Sequence, residues 1–144
     1  MKYIEWTPAL RTGSSSIDVQ HKALIHAINE LGKNLEEGKG AMCIQKTISF
    51  LKYYTEWHFG QEEECAAKHQ CPIAETNKHA HTKFIAIVDK LINDLRNTDN
   101  PETVAKEAHA LVCDWIENHI MKIDKQVGKC VASHSAQPTV STSS

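Results

Sequence analysis

Histidines and carboxylates recur in this chain at spacings that suit a metal site. Nine of its 144 residues are histidine. His58 and Glu62 are four positions apart, and residues with that spacing lie on the same face of a helix. Imidazole and carboxylate together are ligands for iron, manganese or zinc. Such a site requires helices that bring several of these side chains to one buried place.

The distribution of apolar residues predicts four amphipathic helices that could do this. They extend from the SSSID segment to about Glu37, from about Ala41 to Lys68, from about Pro72 to Asn97, and from Pro101 to about Lys129. The short connections between them predict an all-α, up-down-up-down four-helix bundle. We expect residues 1–130 to form this unit, with an N-terminal arm (residues 1–16) whose Trp6 packs on the bundle. Residues 131–144 are expected to form a disordered polar tail or a linker.

Each predicted helix carries one apolar stripe, which marks the face that points to the core. The stripes contain, in chain order, Leu24, Ile28, Leu31 and Leu35; Ile44, Ile48, Leu51 and Thr55; Ile85, Val88, Ile92 and Leu95; and Val104, Ala108, Leu111 and Trp115. When extended, each stripe reaches one histidine, and these are His21, His58, His81 and His119. Glu62 lies on the same face as His58. The remaining histidines are expected at the surface, in a turn or in the tail: His26, His69, His79, His109 and His134.

A single inward histidine is most often an ordinary core residue with a hydrogen bond. Four of them in one bundle are harder to satisfy, because each buried polar group without a partner costs roughly 1–3 kcal/mol. A metal ion bound by all of them is the simplest solution. Asp124 leaves two possibilities open. A π-bulge would bring it to His119, five positions earlier, whereas on a regular α-helix it would be a solvated residue near the helix end.

The composition argues against several classes of function. With a net charge of −2 and no basic run, neither nucleic acid nor an anionic membrane is an expected partner. No apolar run approaches the length of a membrane span, and the N-terminus does not resemble a signal peptide. The odd number of cysteines, five, predicts a reduced, cytoplasmic protein whose cysteines mostly serve as small apolar side chains. Cys65 is expected to be a core residue or to lie beside the ligands, rather than to be a ligand itself.

The arrangement of these residues resembles a known family, the hemerythrins, and in particular the bacterial hemerythrins. The resemblance rests on Trp6 and on the segments IDVQH (17–21), HFGQE (58–62), HTKF (81–84) and WIENHIMKID (115–124). It implies a four-helix bundle that holds two iron ions with an oxo or hydroxo bridge and binds O₂ reversibly.

The same resemblance implies a role for each metal-site residue. His21 and His58 would ligate one iron, and His81 and His119 the other. Glu62 and Asp124 would bridge the two ions. Under this interpretation Asp124 is a ligand, which its spacing alone leaves undecided. The expected O₂ pocket contains Ile17, Leu24, Trp115 and Ile116.

One position departs from the family pattern. Hemerythrins have a histidine four residues before the one at His81, and this chain has Asn77 there. His79 cannot replace it, because residues two apart point to nearly opposite sides of a helix. One iron is therefore expected to lack one imidazole, with water, another small ligand or a weak amide oxygen in its place.

This departure favours oxygen or redox sensing, or O₂ binding with ready autoxidation, over O₂ storage. We expect a binding protein rather than an enzyme, with O₂ or small anions as ligands and a fused or separate signalling partner. The alternatives are a di-iron peroxidase, an enzyme that reduces nitric oxide, and a protein for iron storage or delivery.

Overall fold

The computed structural model describes residues 2–135, with side chains through residue 133. Its α-helices are α1 (Ser15–Glu36), α2 (Gly40–Lys68), α3 (Ala74–Asn97), α4 (Pro101–His119) and α5 (Lys125–Ser135). A single π-helical turn, Ile120–Asp124, joins α4 to α5 without a break. The four long helices pack as an up-down-up-down bundle, with α1 and α3 each against α2 and α4. Within residues 2–135, no helix is long and apolar enough to cross a membrane.

Local sequence explains where the first helix begins. The hydroxyl of Ser14 accepts a hydrogen bond from the backbone N–H of Ile17 (3.3 Å), which satisfies one of the free donors of α1. Asp18, in the first turn, accepts bonds from the backbone N–H and the hydroxyl of Thr12 (2.9 and 2.8 Å). Because the carboxylate also lies near the positive end of the helix dipole, it stabilises both the helix and the segment before it.

The core confirms two of the predicted stripes and corrects the other two. All the stripe residues of α1 and α2 are buried. On α3, Phe84 and Leu91 are buried in place of Ile85 and Ile92, which lie at the rim. The ring of Phe84 packs on Trp115 with centroids 4.6 Å apart, so the larger aromatic side chain takes the central position. On α4, likewise, the buried residue is Val112 rather than Leu111.

The N-terminal arm packs on the bundle as predicted. Trp6 is half-buried, and the Lys22 ammonium group lies 4.2 Å from the centre of its ring. Ile4 is buried, and the side chain of Asn29 both accepts from its N–H (3.0 Å) and donates to its carbonyl (2.8 Å). These paired bonds hold the arm across α1.

The C-terminal part of the chain differs from the prediction in two ways. Helix α5 extends to Ser135 rather than to about Lys129, so residues 131–135, expected in a tail or linker, are helical, and residues 136–144 lie outside the described residues. Moreover, Cys71 and Cys130 form a disulfide with a Cα–Cα distance of 5.9 Å, so the prediction of reduced cysteines is wrong for this pair. After the π turn, α5 lies beside the start of α1, where Val127 packs in one apolar group with Ile17. There Gly128 lies so close to Thr12 that a Cβ atom would overlap its carbonyl oxygen.

Candidate metal centre

Six side chains from all four helices of the bundle meet in its interior. They are His21 on α1, His58 and Glu62 on α2, His81 on α3, His119 on α4 and Asp124 at the end of the π turn, and all are buried. They form two overlapping groups whose potential ligand atoms lie within 4.8 Å of one another. One group has His21 and His58, the other has His81 and His119, and both contain Glu62 and Asp124. The structure thus brings together the six residues that the sequence predicts as ligands.

The π turn is what brings Asp124 to the centre. It adds one residue to a helical turn, so positions five apart come to the same face. Asp124 Oδ1 lies 2.9 Å from His119 Nε2, and its Oδ2 lies 2.8 Å from His21 Nε2. Of the two possibilities left by the sequence, the structure has the widened turn and not the solvated aspartate.

The carboxylates control the charge of the centre. Glu62 Oε2 lies 2.7 Å from His58 Nε2 and 3.3 Å from His21 Nε2, while Oε1 lies 3.4 Å from His81 Nε2. Burial alone would raise the pKa of Glu62, but its hydrogen bonds to the histidines hold that pKa well below the usual value. Burial opposes protonation of His21, yet hydrogen bonds to Asp124 and Glu62 raise its pKa to about 9.

Hydrogen bonds within the protein do not satisfy this cluster. The Nε2 atoms of His81 and His119 face each other at 3.2 Å. Glu62 Oε1 and Asp124 Oδ1 are buried, and although each lies within 3.4 Å of an imidazole nitrogen, neither has a partner in good hydrogen-bond geometry among the described residues. A neutral imidazole nitrogen that lacks hydrogen has a lone pair to offer, as does a carboxylate oxygen. Inward lone pairs on nitrogen and oxygen are the donor set that iron or zinc accepts, so the residues present fit a metal pair.

Two further residues hold the histidines in place, and sequence reasoning missed both. Gln20 Oε1 contacts His58 Nδ1, and Glu63 Oε2 lies 2.9 Å from His81 Nδ1. Bonds of this kind fix the orientation of an imidazole so that its other nitrogen points at the metal. Glu63 and Gln20 are each next to a predicted ligand in the sequence, and that adjacency is the only signal that could have indicated them.

Asn77 lies on α3, one turn before His81, and is completely buried. Both its amide nitrogen and its amide oxygen lack a hydrogen-bond partner among the described residues. His79, two positions later, is exposed, as predicted. An unsatisfied amide in the interior is costly, so an occupant that hydrogen-bonds to Asn77 would stabilise the fold.

A small cavity adjoins the cluster. Its volume is about 10 Å³, close to the minimum that holds one water-sized molecule. Three of the four predicted pocket residues, Leu24, Trp115 and Ile116, line it. Ile17 does not, because it packs in a separate apolar group with Ala66, Cys71 and Val127. Phe59, which the prediction omitted, also lines the cavity, and its ring stacks on His81 with centroids 3.8 Å apart.

The histidines expected outside the site differ in how exposed they are. His26 is exposed and His69 is half-buried in the turn after α2. His109, expected at the surface, is only 4% exposed, so that prediction is wrong. The side chain of His134 lies outside the described residues. Cys65, a half-buried free cysteine, is not part of either ligand group.

Comparison with known proteins agrees with this geometry. The family described as "Hemerythrin HHE cation binding domain" matches residues 12–131. A bacteriohemerythrin of Pseudomonas aeruginosa is 30% identical over 86% of this chain and 78% of its own length. One of Methylococcus capsulatus is 28% identical over 92% of this chain and its full length.

Solved structures extend the comparison to three dimensions. A crystal structure of wild-type hemerythrin superimposes with a TM-score of 0.76 at 26% identity, covering 90% of this chain and 98% of the other. The match in sequence and fold, together with a cluster of four histidines and two carboxylates, leads to one conclusion. The chain belongs to the hemerythrin family, four-helix bundles that bind O₂ at a di-iron centre.

Proposed function

We propose that this hemerythrin senses oxygen or redox state, by binding O₂ with ready autoxidation at a centre with one imidazole fewer than the family pattern. The proposed ligands are His21, His58, Glu62, His81, His119 and Asp124. When bound, the iron pair supplies affinity for O₂ and the electrons that O₂ accepts. The observation that carries the proposal is Asn77, buried on α3 one helical turn before His81, with both amide atoms unpaired.

The chain itself provides the charge and shape of the centre. Glu62 and Asp124 place two negative charges between the two pairs of histidines, which favours divalent cations there. Leu24, Phe59 and Ile116 enclose the adjoining cavity with apolar surface, so water has limited access to it. These features suit an uncharged diatomic ligand.

Asn77 changes only one side of this arrangement. Its amide is a weaker ligand than imidazole and shorter, so it leaves space at the side of His81 and His119. Water or a small anion could occupy that space and hydrogen-bond to the amide. A metal that solvent or anions reach easily is oxidised more readily than one enclosed by three imidazoles. Rapid, lasting oxidation suits a sensor better than a carrier.

The test begins with anaerobic reconstitution by ferrous iron and then admits O₂. Wild-type chain is expected to hold two irons, to change its optical spectrum on exposure to O₂, and then to autoxidise. The Asn77→His variant should autoxidise several-fold more slowly and should bind azide at fewer positions. His79→Ala is the matched control, because His79 is exposed on the same helix, and its behaviour should equal that of wild type. An unchanged autoxidation rate in Asn77→His would contradict the role given to Asn77.

An enzyme is the alternative that the same feature favours. An additional open position beside Asn77 would also serve turnover of hydrogen peroxide or nitric oxide. Repeated turnover without loss of iron would distinguish an enzyme from a sensor, whereas release of iron to a chelator at neutral pH would favour storage.

The cytoplasmic location and a signalling partner stay predictions, and the Cys71–Cys130 disulfide weighs against a fully reducing compartment.

A further inference from the structure

Helix α2 presents a row of large aromatic side chains to solvent. Phe50, Tyr53 and Trp57 are 37%, 68% and 51% exposed. Tyr54 lies among them, its ring stacked on Phe50 with centroids 5.0 Å apart and 5.4 Å from that of Trp57. Because these rings hold one another in place, little side-chain freedom remains to be lost on binding. Exposed, fixed aromatic side chains of this kind are enriched in protein interfaces.

Two opposite charges lie at the ends of this aromatic row. Lys46 and Glu64 are both exposed, and they are five helical turns apart, so they occupy the same angular position about 27 Å from each other. Within the part of the chain that the structure describes, neither side chain has an ionic partner. Lys68 is also exposed on this side of α2, but it lies one turn beyond Glu64 and outside the row. The row is therefore bounded by one positive and one negative side chain, with a second ammonium group beyond the negative one.

We propose that the aromatic row binds the same row of a second copy of this chain, with the two α2 helices antiparallel about a two-fold axis at the level of Thr55, whose own side chain is buried on the opposite side of the helix. The positions are symmetric about that point. Lys46 faces the partner's Glu64, and Tyr53 faces the partner's Trp57. In a two-fold dimer each such contact occurs twice. A parallel pair would place Lys46 opposite its own copy, so the charges select the antiparallel arrangement.

Gly60 supports this pairing independently. A Cβ atom at this position would meet nothing within 4 Å, so packing within the chain does not require glycine there. Glycine inside a helix is destabilising by roughly 0.5–1 kcal/mol relative to alanine. In the antiparallel pair it lies at the level of the partner's Phe50, and the absence of a side chain at Gly60 allows the two helices to approach more closely. The dimer thus gives a reason for a residue that the bundle does not explain.

The area of the aromatic row limits how tightly the dimer is expected to form. Two single helices bury less area than the roughly 800 Å² per partner of a standard interface, so the dimer should dissociate in the micromolar range. Trp57, near the middle of the row, is expected to contribute most, since buried tryptophans dominate interfaces of this type.

Sedimentation velocity of the iron-loaded chain, from low micromolar to millimolar concentration, tests the proposal. Wild type should convert from monomer to dimer over this range. Trp57→Ala should weaken dimerisation roughly 30-fold or more. Leu111→Ala is the control, because Leu111 is as exposed as Phe50 but lies on α4, and it should leave the equilibrium unchanged. Iron content and helicity, measured in parallel, show whether each variant folds and retains its centre.

A charge exchange tests the register. Lys46→Glu and Glu64→Lys should each weaken the dimer about tenfold, because like charges then face each other at both ends. The double variant should recover the wild-type equilibrium, and a mixture of the two single variants should form heterodimers. Carbodiimide treatment of mixed isotope-labelled and unlabelled chains should link Lys46 to the partner's Glu64.

Two results would overturn the proposal. One is a monomer at every concentration, which would leave another type of molecule to cover the row. The other is a dimer that neither Trp57→Ala nor the charge reversals weaken, which would place the interface elsewhere. Both results are independent of whether the centre senses oxygen.

Discussion

The bundle buries histidines in two regions, and their surroundings differ. In the metal centre, His21 is 1% exposed and lies beside the carboxylates of Glu62 and Asp124. Under the N-terminal arm, His109 is 4% exposed and contacts Cys113, with Nε2 3.6 Å from Sγ, and the ring of Tyr3. The two histidines are almost equally buried, yet their surroundings shift their pKa values in opposite directions. The pKa of His21 is raised by its carboxylates, whereas burial lowers that of His109.

This difference identifies what makes a buried histidine a candidate ligand. Burial removes water from both imidazoles and disfavours their charged form. Only the central ones face carboxylates, which attract a proton or a metal cation to the same place. His109 has no carboxylate in contact among the described residues, and the thiol of Cys113 has a pKa raised by burial to about 11, so it is not a thiolate. The region around His109 is thus expected to be structural.

The strongest test removes the carboxylate shared by three central imidazoles. Glu62→Ala should lose most bound iron, with affinity reduced roughly 100-fold or more, since even residues that only orient ligands contribute 10–100-fold. His109→Ala should retain two irons per chain. Metal analysis after anaerobic reconstitution and gel filtration measures both. Equal iron content in the two variants would remove the distinction between the regions.

Removal of iron should affect stability through the centre alone. A ligand present at a thousand times its dissociation constant stabilises the folded state by about 4 kcal/mol, which for a chain of this length is a shift of roughly 10 °C. Iron-free protein should therefore melt about that much lower in a circular dichroism scan. His109→Gln should lower both melting temperatures by the same amount. A shift that changed in this variant would indicate that the regions are coupled.

In iron-free protein the two regions should give opposite dependences on pH. The pKa of His21 is about 9 in the folded state against 6.5 unfolded. Its contribution, roughly 3 kcal/mol, is complete below pH 6.5 and is lost as the pH rises through 9. The pKa of His109 is lowered, so the unfolded state binds its proton more tightly and stability is lost as the pH falls below 6.5.

Urea unfolding across this pH range separates the two effects. His21→Gln should flatten the decline between pH 6.5 and 9 and leave the acid side as it was. His109→Gln should do the reverse. If one substitution flattened both sides, the assignment of either slope to its histidine would fail.

Helical periodicity predicted five of the six side chains that meet in the core, because it determines which residues share a face. One histidine per stripe, and Glu62 four after His58, needed no knowledge of how the helices meet. Periodicity could place Asp124 beside His119 only if a π turn was present. Such a turn forms only where the widened helix makes favourable contacts, which the sequence does not show. Here it gains contacts of Asp124 with His21 and His119.

The features that helical periodicity could not predict depend on contacts between segments that are distant in the sequence. His109 is off the predicted stripe of α4, and it is buried against Gly32 of α1 with the arm residue Tyr3 beside its ring. No pattern within α4 shows where an arm will lie. Cys71 and Cys130 are 59 positions apart, and they meet because α5 packs beside the end of α2.

The smallest change in unfolding free energy that distinguishes the two regions is expected at Gly32, which lies in the interior of α1 against His109. A Cβ atom at Gly32 would come within 2.7 Å of His109 Nε2, so the imidazole occupies the space that glycine leaves. The free-energy cost of crowding His109 in Gly32→Ala should therefore exceed the gain in helix propensity, which is roughly 1 kcal/mol. The net loss of unfolding free energy should be about 1 kcal/mol, with iron content unchanged.

The same substitution should reverse its sign once the imidazole is absent. In a His109→Ala background the crowding is relieved, and only a ring atom of Tyr3, which would lie 3.2 Å from the new Cβ atom, needs to shift. Gly32→Ala should then raise the unfolding free energy by up to about 1 kcal/mol through helix propensity alone. Urea unfolding of the four proteins in this double-mutant cycle measures the coupling. Additive effects would mean that His109 does not determine the need for glycine, and a change in iron content would mean that the region is not purely structural.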